Sequence, residues 1–594
     1  MANTDAWRKL LHYESFALAP SKYRSAIHSK EFFLSPSGAT DPAAELSATL
    51  AAMLEAPEGE HDQHAKCRFP ARLLWLREKF PEHRDLLGTI ECPGFNKWIN
   101  LDDIGSISVV FANGYFDNPA SYYGHLFLKF NNKQGSHLTD QTANYGAVDT
   151  SNDDPVSYIL KGVSGGYEGG FSPIDFFFHD GNYSDNEFRD LWEYRLNLTE
   201  SETRYIVFHV WEVFQKKFTY YFFHDNCAYR VGEMLELVDE LKVNPQNRPW
   251  IIPQAILHNL SEASLRDSRL VNAIAFHPSR QTKLYEKYAR LSAIQRAVVR
   301  DVAHRNIHVD GPEVQKLTLQ DQYAVIDTVI DYETFVDKRR KVGSEQRQSQ
   351  EYVEAIKARL SLPPEPSRVA HAAERSAPSE ANLPSWIQLG TGITNHQPAN
   401  VLRIRPAHYD VLDVGGAQAK SSALSMGDLT MEMRQDALKP IRLWLISIDS
   451  ANPSSTGLPG DRGVGWRLKI GGEEDRVGCN HCFVARAQGD YSISRWIMPS
   501  ALFGSMYVGG AIQQKTDYNH FGFGRIGGAL LSRPSADIGL RANVEYRYPT
   551  DVHRRGYSYR SIEGRYAIAK DVDLRVSGER DYGSRITIGV GFYW

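Results

Sequence analysis

The residue with the clearest capacity for covalent chemistry is Cys227, in the stretch His224-Asp225-Asn226-Cys227-Ala228-Tyr229-Arg230. Asn226 is a favourable helix N-cap, and the spacing of the apolar residues that follow predicts one buried helix face: Val231, Met234, Leu235 and Val238. Cys227 is therefore predicted in the first helical turn, where the helix dipole and free backbone N–H groups favour a thiolate. A buried core cysteine without a chemical role is the alternative.

A nucleophilic thiol needs a base, and His125 is the histidine best placed to supply one. It begins a predicted central strand, in Tyr123-Gly124-His125-Leu126-Phe127-Leu128. Gly124 has no side chain, so it leaves room for backbone or substrate beside the imidazole. With Cys227, this histidine would form the nucleophile–base pair of covalent catalysis. A histidine that only stabilises the fold is the alternative.

The Gly-His strand motif and the later Asn-Cys at a helix start resemble the permuted papain-like cysteine hydrolases. That group includes the lecithin:retinol acyltransferase family and, more distantly, the NlpC-type peptidases. The closer resemblance is to the Lnb N-terminal periplasmic domain family, named for a bacterial lipoprotein N-acyltransferase. It covers roughly residues 100–240, and the segment 67–72 resembles the accompanying upstream region. The matching stretches are Tyr123-Gly124-His125-Leu126-Phe127-Leu128, Asn144-Tyr145-Gly146-Ala147, Arg189-Asp190-Leu191-Trp192-Glu193-Tyr194 and Tyr220-Tyr221-Phe222-Phe223-His224-Asp225-Asn226-Cys227.

The third catalytic member is predicted to be Asn144. If the turn is centred on Gln134-Gly135, Asn144 lies opposite His125 on the returning strand and can orient the imidazole. His137 is a rival, because the acyltransferase group places a second histidine about a dozen residues after the first. We assign four residues to substrate binding or to alternatives for the third member: His137, Asp140, Asn226 and Tyr123.

The C-terminal third of the sequence alternates as membrane β-strands do. In the last strand, one face is apolar and the other small or polar: Ile586, Ile588, Val590, Phe592 and Trp594 against Thr587, Gly589, Gly591 and Tyr593. Similar segments at 538–548, 561–568 and 572–579 set arginine and glutamate against apolar residues. A soluble sandwich would bury the apolar face, whereas an outer-membrane barrel turns it to lipid and the charges to the lumen. The aromatic residues near strand ends are typical of interfacial girdles.

The chain of 594 residues is too long for one core and is predicted to be multidomain. We expect a helical N-terminal region (1–95), an α+β permuted papain-like catalytic domain with a helical extension (96–361) and a proline-rich linker (362–383). Residues 384–594 should form a transmembrane antiparallel β-barrel of about twelve strands.

Composition narrows the location and the partners. The net charge of -5 gives no nucleic-acid signature, so no nucleic-acid partner is expected. No run of 18 or more apolar residues marks a transmembrane helix. The first residues lack a basic segment followed by an apolar one, so we expect that a signal peptide has been removed. The predicted location is the outer membrane of a Gram-negative bacterium, with the catalytic domain in the periplasm.

The five cysteines are consistent with an oxidising compartment if four of them pair. Cys67 and Cys92 are predicted to bridge, and so are Cys479 and Cys482. The Cys479-Asn480-His481-Cys482 stretch is half of a zinc motif without a second pair, so a local disulfide is favoured. Cys227 is left as a free thiol. No metal and no cofactor are expected.

These features predict a periplasmic cysteine acyltransferase or hydrolase, anchored in the outer membrane, that acts through an acyl-enzyme on lipid or lipoprotein acyl groups. The resemblance implies a relation to Gram-positive acyltransferases that are anchored by transmembrane helices. In this sequence the predicted barrel takes the place of those helices. A peptidase or amidase acting on peptidoglycan peptides is the alternative within the enzyme class. A non-enzymatic transporter or anchor with an inactive binding domain is the alternative outside it. The charged lumen favours a blocked pore.

Overall fold

The protein is described by a computed structural model. It describes residues 1–594 except 17–18, 58, 116–120, 136, 149–152, 154, 246–247, 340–347, 365–374, 414, 416–420, 436, 499–500, 516–519 and 551–554. Residues 365–374 of the predicted linker, 362–383, thus lie outside the described residues. None of the described helices combines the length and the apolar character that crossing a membrane would require.

The chain divides into two compact units. The first comprises Met1–Ser184 and Asp190–His277, and the second comprises Asp185–Arg189 and Pro278–Trp594. The helices after residue 277, which the sequence analysis grouped with the catalytic domain, therefore belong to the unit that contains the barrel.

The N-terminal region of the first unit contains the predicted helices and also a β-hairpin that was not predicted. Its elements are α1 (Asp5–Leu10), β1 (Tyr13–Phe16), β2 (Ala19–Ser25), α2 (Pro42–Leu54), α3 (Ala65–Arg68), α4 (Pro70–Lys79) and α5 (Pro93–Trp98). The predicted disulfide between Cys67 and Cys92 is confirmed, and it joins α3 to the start of α5. Trp7, whose indole N–H donates to the Pro42 carbonyl oxygen at 3.0 Å, lies in the core of this region.

The rest of the first unit is a seven-stranded antiparallel sheet with helices. Its elements are β3 (Ile104–Ala112), β4 (His125–Asn132), β5 (Gln141–Ala147), α6 (Pro155–Ser164), β6 (Tyr167–Asp175), α7 (Phe176–Asp180), β7 (Leu191–Leu196), α8 (Glu200–Val213), β8 (Phe218–Tyr220), α9 (Cys227–Leu235), α10 (Pro253–Glu262), the short β9 (Ser264–Leu265) and β10 (Ser268–Arg269), and β11 (Val271–His277). The strand order is β11-β7-β3-β4-β5-β6-β8, so β4 is the middle strand, as predicted. Helix α9 packs against β4 and β5.

The second unit begins with helices around their own apolar core. They are α11 (Arg280–Arg290), α12 (Ala293–Ala303), α13 (Pro312–Gln315), α14 (Leu319–Arg339) and α15 (Gln350–Leu360). Leu458, from the barrel, is buried in the core that they form. The hydroxyl of Tyr332 donates to the Pro459 carbonyl oxygen at 2.9 Å, and that of Tyr285 donates to Asp461 at 2.7 Å. These contacts fasten the helices to one long barrel loop.

The barrel strands are β12 (Trp386–Thr394), β13 (Gln397–Arg405), β14 (Ala407–Tyr409), β15 (Ala423–Arg434), β16 (Ala437–Ser450), β17 (Val464–Glu474), β18 (Phe483–Met498), β19 (Leu502–Gln513), β20 (Gly522–Ser532), β21 (Ile538–Pro549), β22 (Tyr557–Ala569), β23 (Val572–Arg580) and β24 (Ser584–Tyr593). The first and last strands, β12 and β24, pair with each other, and β13 pairs with β15. Twelve antiparallel strands thus close a ring, and the short β14 pairs beside it with β15. The predicted barrel of about twelve strands is confirmed, as is the Cys479–Cys482 disulfide, which lies between β17 and β18.

The two faces of the barrel wall have the predicted inverted polarity. Ile586 on β24 is 63% exposed, while the neighbouring Arg585 is 4% exposed and faces the lumen. There the Arg585 guanidinium contacts Glu432 at 2.8 Å and Glu474 at 2.6 Å. An apolar outer face with a charged, ion-paired interior is typical of outer-membrane barrels.

Residues 410–413, the segment after β14, contact side chains of the lumen. Asp410 contacts Arg575 at 2.6 Å and Arg405 at 2.7 Å, and Asp413 contacts Arg565 at 2.9 Å. Between these carboxylates, two residues pack with apolar side chains from three other parts of the barrel: Val411 and Leu412 with Ala451, Phe503 and Leu531. A lumen cavity of about 230 Å³, lined largely by arginines and acids, remains.

Candidate functional site

Cys227 is the first residue of α9, as predicted, and its neighbour Asn226 fixes the helix start from both sides. The Asn226 Oδ1 accepts the backbone N–H groups of Ala228 at 3.0 Å and Tyr229 at 3.2 Å. Its amide Nδ2 donates to the carbonyl oxygens of Phe222 at 3.2 Å and Ile251 at 2.7 Å. Asn226 therefore fixes the backbone at the start of α9, next to the thiol.

His125 is the first residue of β4, and the backbone just before it is unusual. Gly124 has a φ of +96°, a region that favours glycine, and a Cβ there would lie 2.3 Å from the ring of Phe111. Only glycine fits this close approach. The preceding Tyr123 is buried, with its ring 6.3 Å from that of Phe223, so it joins the histidine motif to the cysteine motif.

The structure brings Cys227, His125 and Asn144 together. The imidazole Nε2 of His125 lies 2.6 Å from the Asn144 Oδ1. The same imidazole hydrogen-bonds with the Cys227 thiol, and the backbone N–H of Leu126 also donates to the sulfur. Because Nε2 faces Asn144, Nδ1 is the ring nitrogen left for the thiol.

The predicted strand register is wrong by two residues, yet the predicted contact forms. Asn144 pairs with Phe127, not with His125. The pairing of β4 with β5 begins with Phe130 and Gln141 and ends with Phe127 and Asn144. A shift of two residues keeps a side chain on the same face of the sheet. His125 and Asn144 therefore meet as diagonal neighbours. The turn is not centred on Gln134-Gly135, because the connection includes a 3-10 turn at His137–Thr139.

The surroundings of the Cys227 thiol favour its ionised form. The side chain is buried, which by itself raises the pKa of the thiol. The nearby imidazole of His125, its hydrogen bond to the sulfur, and the N–H groups of Leu126 and Ala228 outweigh burial, so the net pKa of Cys227 is lowered. A lowered pKa is the property of a reactive cysteine.

The two other candidates for the third member lie in different surroundings. The side chain of His137 is 72% exposed, with its Nδ1 3.9 Å from Asp140. Asp140 is buried, where it contacts the Lys129 ammonium at 3.1 Å and accepts the Asn132 N–H at 3.1 Å. Lys129 also contacts Glu193 at 3.1 Å, so Asp140 belongs to a buried ion-pair cluster of the sheet.

Sequence reasoning missed two buried aromatic neighbours of the site. His179 stacks on Phe127 with 4.3 Å between the rings, and its Nε2 lies 3.1 Å from the Thr142 hydroxyl. Burial and the nearby His125 lower the pKa of His179 to about 3, which keeps this second imidazole neutral. The buried Tyr220 lies close enough to Cys227 that, after burial, the thiolate charge is the largest cause raising its pKa. Tyr220 begins the stretch up to Cys227 that resembles the Lnb-type family, whereas no feature of the sequence pointed to His179.

The N-terminal region supports α9 through a buried polar chain that sequence reasoning also missed. Arg230, one turn after Cys227, contacts Glu233 at 2.6 Å. Glu233 lies 3.4 Å from the Nδ1 of His12, whose Nε2 lies 3.0 Å from the Nε2 of His209. Burial lowers the pKa of His12 to about 4. No group of three or more histidine, cysteine, aspartate and glutamate side chains suited to a metal ion occurs among the described residues.

Three family models match different parts of the chain. Residues 94–262 match the Lnb N-terminal periplasmic domain. Residues 1–79 and 375–588 match two domains of unknown function, DUF7843 and DUF7840. The part of the chain that carries Cys227, His125 and Asn144 therefore resembles the Lnb-type domain, in agreement with the motifs.

A search of curated proteins finds no match to the chain. Among solved structures, similar chains include the KdgM porin (TM-score 0.20, 9% identity, covering 35% of this chain and 99% of that one) and the NanC porin (TM-score 0.23, 10% identity, covering 35% and 98%). OmpT, an outer membrane protein of Vibrio cholerae, is another (TM-score 0.19, 10% identity, covering 38% and 100%). With TM-scores this low, the assignment of the barrel depends on its own strand pairing and polarity. The chain thus combines a β-barrel of the outer-membrane type with a region, residues 94–262, that resembles the Lnb N-terminal periplasmic domain.

Proposed function

We propose that the Lnb-type domain is a cysteine-dependent acyltransferase or hydrolase that acts on the acyl groups of lipids or lipoproteins. One observation carries the proposal: the His125 imidazole bridges the Cys227 thiol and the Asn144 amide, with 2.6 Å between Nε2 and Oδ1. This order of thiol, imidazole and amide is that of a cysteine nucleophile, its base and the group that orients the base. Asn144 is the member that we propose for the third role.

In the first half-reaction, the Nδ1 of His125 takes the proton of the Cys227 thiol. The sulfur forms a bond to the carbonyl carbon of an ester or amide, and the carbonyl oxygen becomes an oxyanion. The N–H of Cys227 is not engaged by the Asn226 cap, and we propose that it donates to this oxyanion. The bond to the leaving oxygen or nitrogen then breaks, the leaving group takes the proton from His125, and a thioester remains.

In the second half-reaction, water or an amine attacks the thioester carbonyl, and His125 takes a proton from the attacking group. The carbon–sulfur bond breaks, and the proton returns to the sulfur. The products are a carboxylic acid with water, or an amide with an amine. Lipids and lipoproteins are the substrates that we favour, because the protein resides in the outer membrane, where both occur.

The experiment is mass spectrometry of the Cys227 peptide after the detergent-purified protein has been incubated with a total lipid extract. We expect an added fatty-acyl mass on Cys227 and its absence in His125→Ala. Later addition of an amine-bearing lipopeptide should release the acyl group as an amide, whereas a hydrolase releases a free acid. An adduct with a peptide-type mass from a peptidoglycan digest would move the substrate to that class. No adduct with either extract would contradict the covalent mechanism.

A further inference from the structure

A polar cavity of about 500 Å³ lies where the N-terminal region meets the Lnb-type domain, within the first unit. Arg8 and Lys9 of α1 line one side, and His224, Tyr229 and Arg248 line another. The volume is that of a site for a small molecule or a headgroup. Neither of the two family descriptions that meet here assigns a ligand to it.

The carboxylates that line the cavity have partners of their own. Glu233 contacts the buried Arg230 at 2.6 Å, and Arg230 itself does not line the cavity. Glu236 accepts two backbone N–H groups at 2.8 Å each, those of Val243 and Asn244. Asp5 is 77% exposed, and its oxygens lie 3.6 Å or more from the nearest cations. The acidic groups are therefore largely satisfied.

The two arginines of the lining are less well satisfied, whereas the Lys9 ammonium donates to the Glu236 carbonyl oxygen at 2.6 Å. Arg248 is partly buried and makes no hydrogen bond or ion pair with any residue that the structure describes, and burial lowers its pKa. The Arg8 Nη1 donates to the Tyr23 hydroxyl at 2.7 Å, but its Nε is buried with no acceptor among the described residues. The adjacent Asp225 carboxylate raises the pKa of the half-exposed His224. Arg8 and Arg248 thus keep N–H groups that no described acceptor takes up, while the acids of the lining have partners.

We propose that this cavity binds a phosphate-bearing group. The planar guanidinium fork of arginine matches a phosphate, and a partly desolvated guanidinium without a carboxylate gains most from such a partner. The phosphate comes from a phospholipid headgroup or is free phosphate, and both would use the same donors.

The site is distinct from the thiol. Tyr229 and Glu233 line the cavity, and Tyr229 lies about 200° around α9 from Cys227 at roughly 100° per residue. A ligand here therefore contacts the face of α9 that is turned away from the sulfur. Its binding does not depend on acyl chemistry.

The test is calorimetric titration of the full-length protein in detergent at fixed ionic strength. The probes are inorganic phosphate and a short-chain phosphatidylglycerol kept below its micelle concentration. We expect Arg248→Gln and Arg8→Gln each to raise the Kd of the bound probe at least about tenfold. Arg269→Gln, an exposed arginine of the same unit outside the cavity, is the matched control and should leave the Kd unchanged.

Tighter binding of the phospholipid than of phosphate assigns the headgroup as the source, and equal binding assigns free phosphate. Cys227→Ala should bind both probes as the wild type does, so failure of the proposed chemistry is measured separately from failure of this site. Arg248→Lys keeps the charge without the fork and should bind with intermediate affinity. Binding of neither probe by the wild type, or an unchanged Kd in Arg248→Gln, would overturn the proposal.

Discussion

The imidazole of His125 has two different neighbours, and each engages one of its ring nitrogens. If Nε2 carries the hydrogen, it donates to the Asn144 Oδ1 at 2.6 Å and leaves Nδ1 as an acceptor for the Cys227 proton. The amide thus selects the tautomer that a base requires. The same geometry accounts for the direction of the pKa shift at Cys227.

Replacement of either reacting residue should lower turnover strongly. We expect Cys227→Ala and His125→Ala each to lower kcat by a factor on the order of 10³ or more, because the thiol and its base act as a unit. The double variant should lose little beyond either single one. Asn144→Ala should cost less than His125→Ala, because it only orients the ring. Steady-state kinetics on a chromogenic acyl ester measures all four, and full activity in Cys227→Ala would reject the mechanism.

The lowered pKa of Cys227 predicts a pH dependence of alkylation. Iodoacetamide reacts with the thiolate, so the wild-type rate should reach half its maximum at a pH below that of an ordinary thiol. In His125→Ala, burial remains while the main lowering cause is lost, so the midpoint should move to higher pH. Cys227 is the one cysteine outside the two disulfides, so its alkylation can be followed by intact mass. The same midpoint in both proteins would contradict the role given to His125.

At the scale of elements, the site forms where two strands separate. The pairing of β4 with β5 extends no further toward the start of β4 than Phe127 with Asn144. Just before it, the N–H of Leu126 donates to the Cys227 sulfur at the start of α9. The first two residues of β4, His125 and Leu126, therefore supply a base and a backbone N–H donor to the same sulfur atom.

The Asn226 cap should matter both for stability and for turnover. Asn226→Ala removes the acceptor of two N–H groups and the donor to two carbonyls, so we expect a loss of about 1–2 kcal/mol in the stability of the domain and a lower kcat. Thr199→Ala, which removes the capping box of α8, is the control and should lower stability by a similar amount with kcat unchanged. Thermal unfolding and kinetics on the same preparations measure both effects. An unaltered kcat in Asn226→Ala would show that the cap does not position the thiol.

At the scale of the whole molecule, the barrel closes as a ring of twelve strands whose lumen is crowded with ion pairs. Asp410 and Asp413 hold the segment after β14 against three lumen arginines, Arg405, Arg565 and Arg575. Charges paired in this way fill the lumen and restrict the space left for water. This arrangement favours an anchor over an open channel.

The purified barrel should not conduct ions in a planar bilayer. Joint replacement of Asp410 and Asp413 by alanine removes the carboxylates that hold the segment, so we expect the segment to be released and discrete conductance steps to appear. Asp537→Ala, at an exposed position outside these contacts, is the control and should stay silent. Steady channel openings in the wild type would contradict a blocked lumen.

The alternation of residues by itself determined the barrel, because a strand with a period of two needs one face toward lipid and the other toward the lumen. Local signals likewise determined the helix start at Cys227, the strand start at His125 and the cysteine pairs. The register of Asn144 depended on a connection whose length the turn residues do not reveal, and the prediction was wrong by two residues. The contact formed nevertheless, because a shift of two preserves the face.

Only the tertiary structure decided the rest. The supporting chain from Glu233 through His12 to His209 joins residues separated by about two hundred positions, and no local pattern encodes such a meeting. The same holds for the stacking of His179 on Phe127 and for the arginines that line the cavity beside α9. Local propensities act over a few residues, whereas buried polar groups find their partners only once the sheet, the helices and the N-terminal region have packed together.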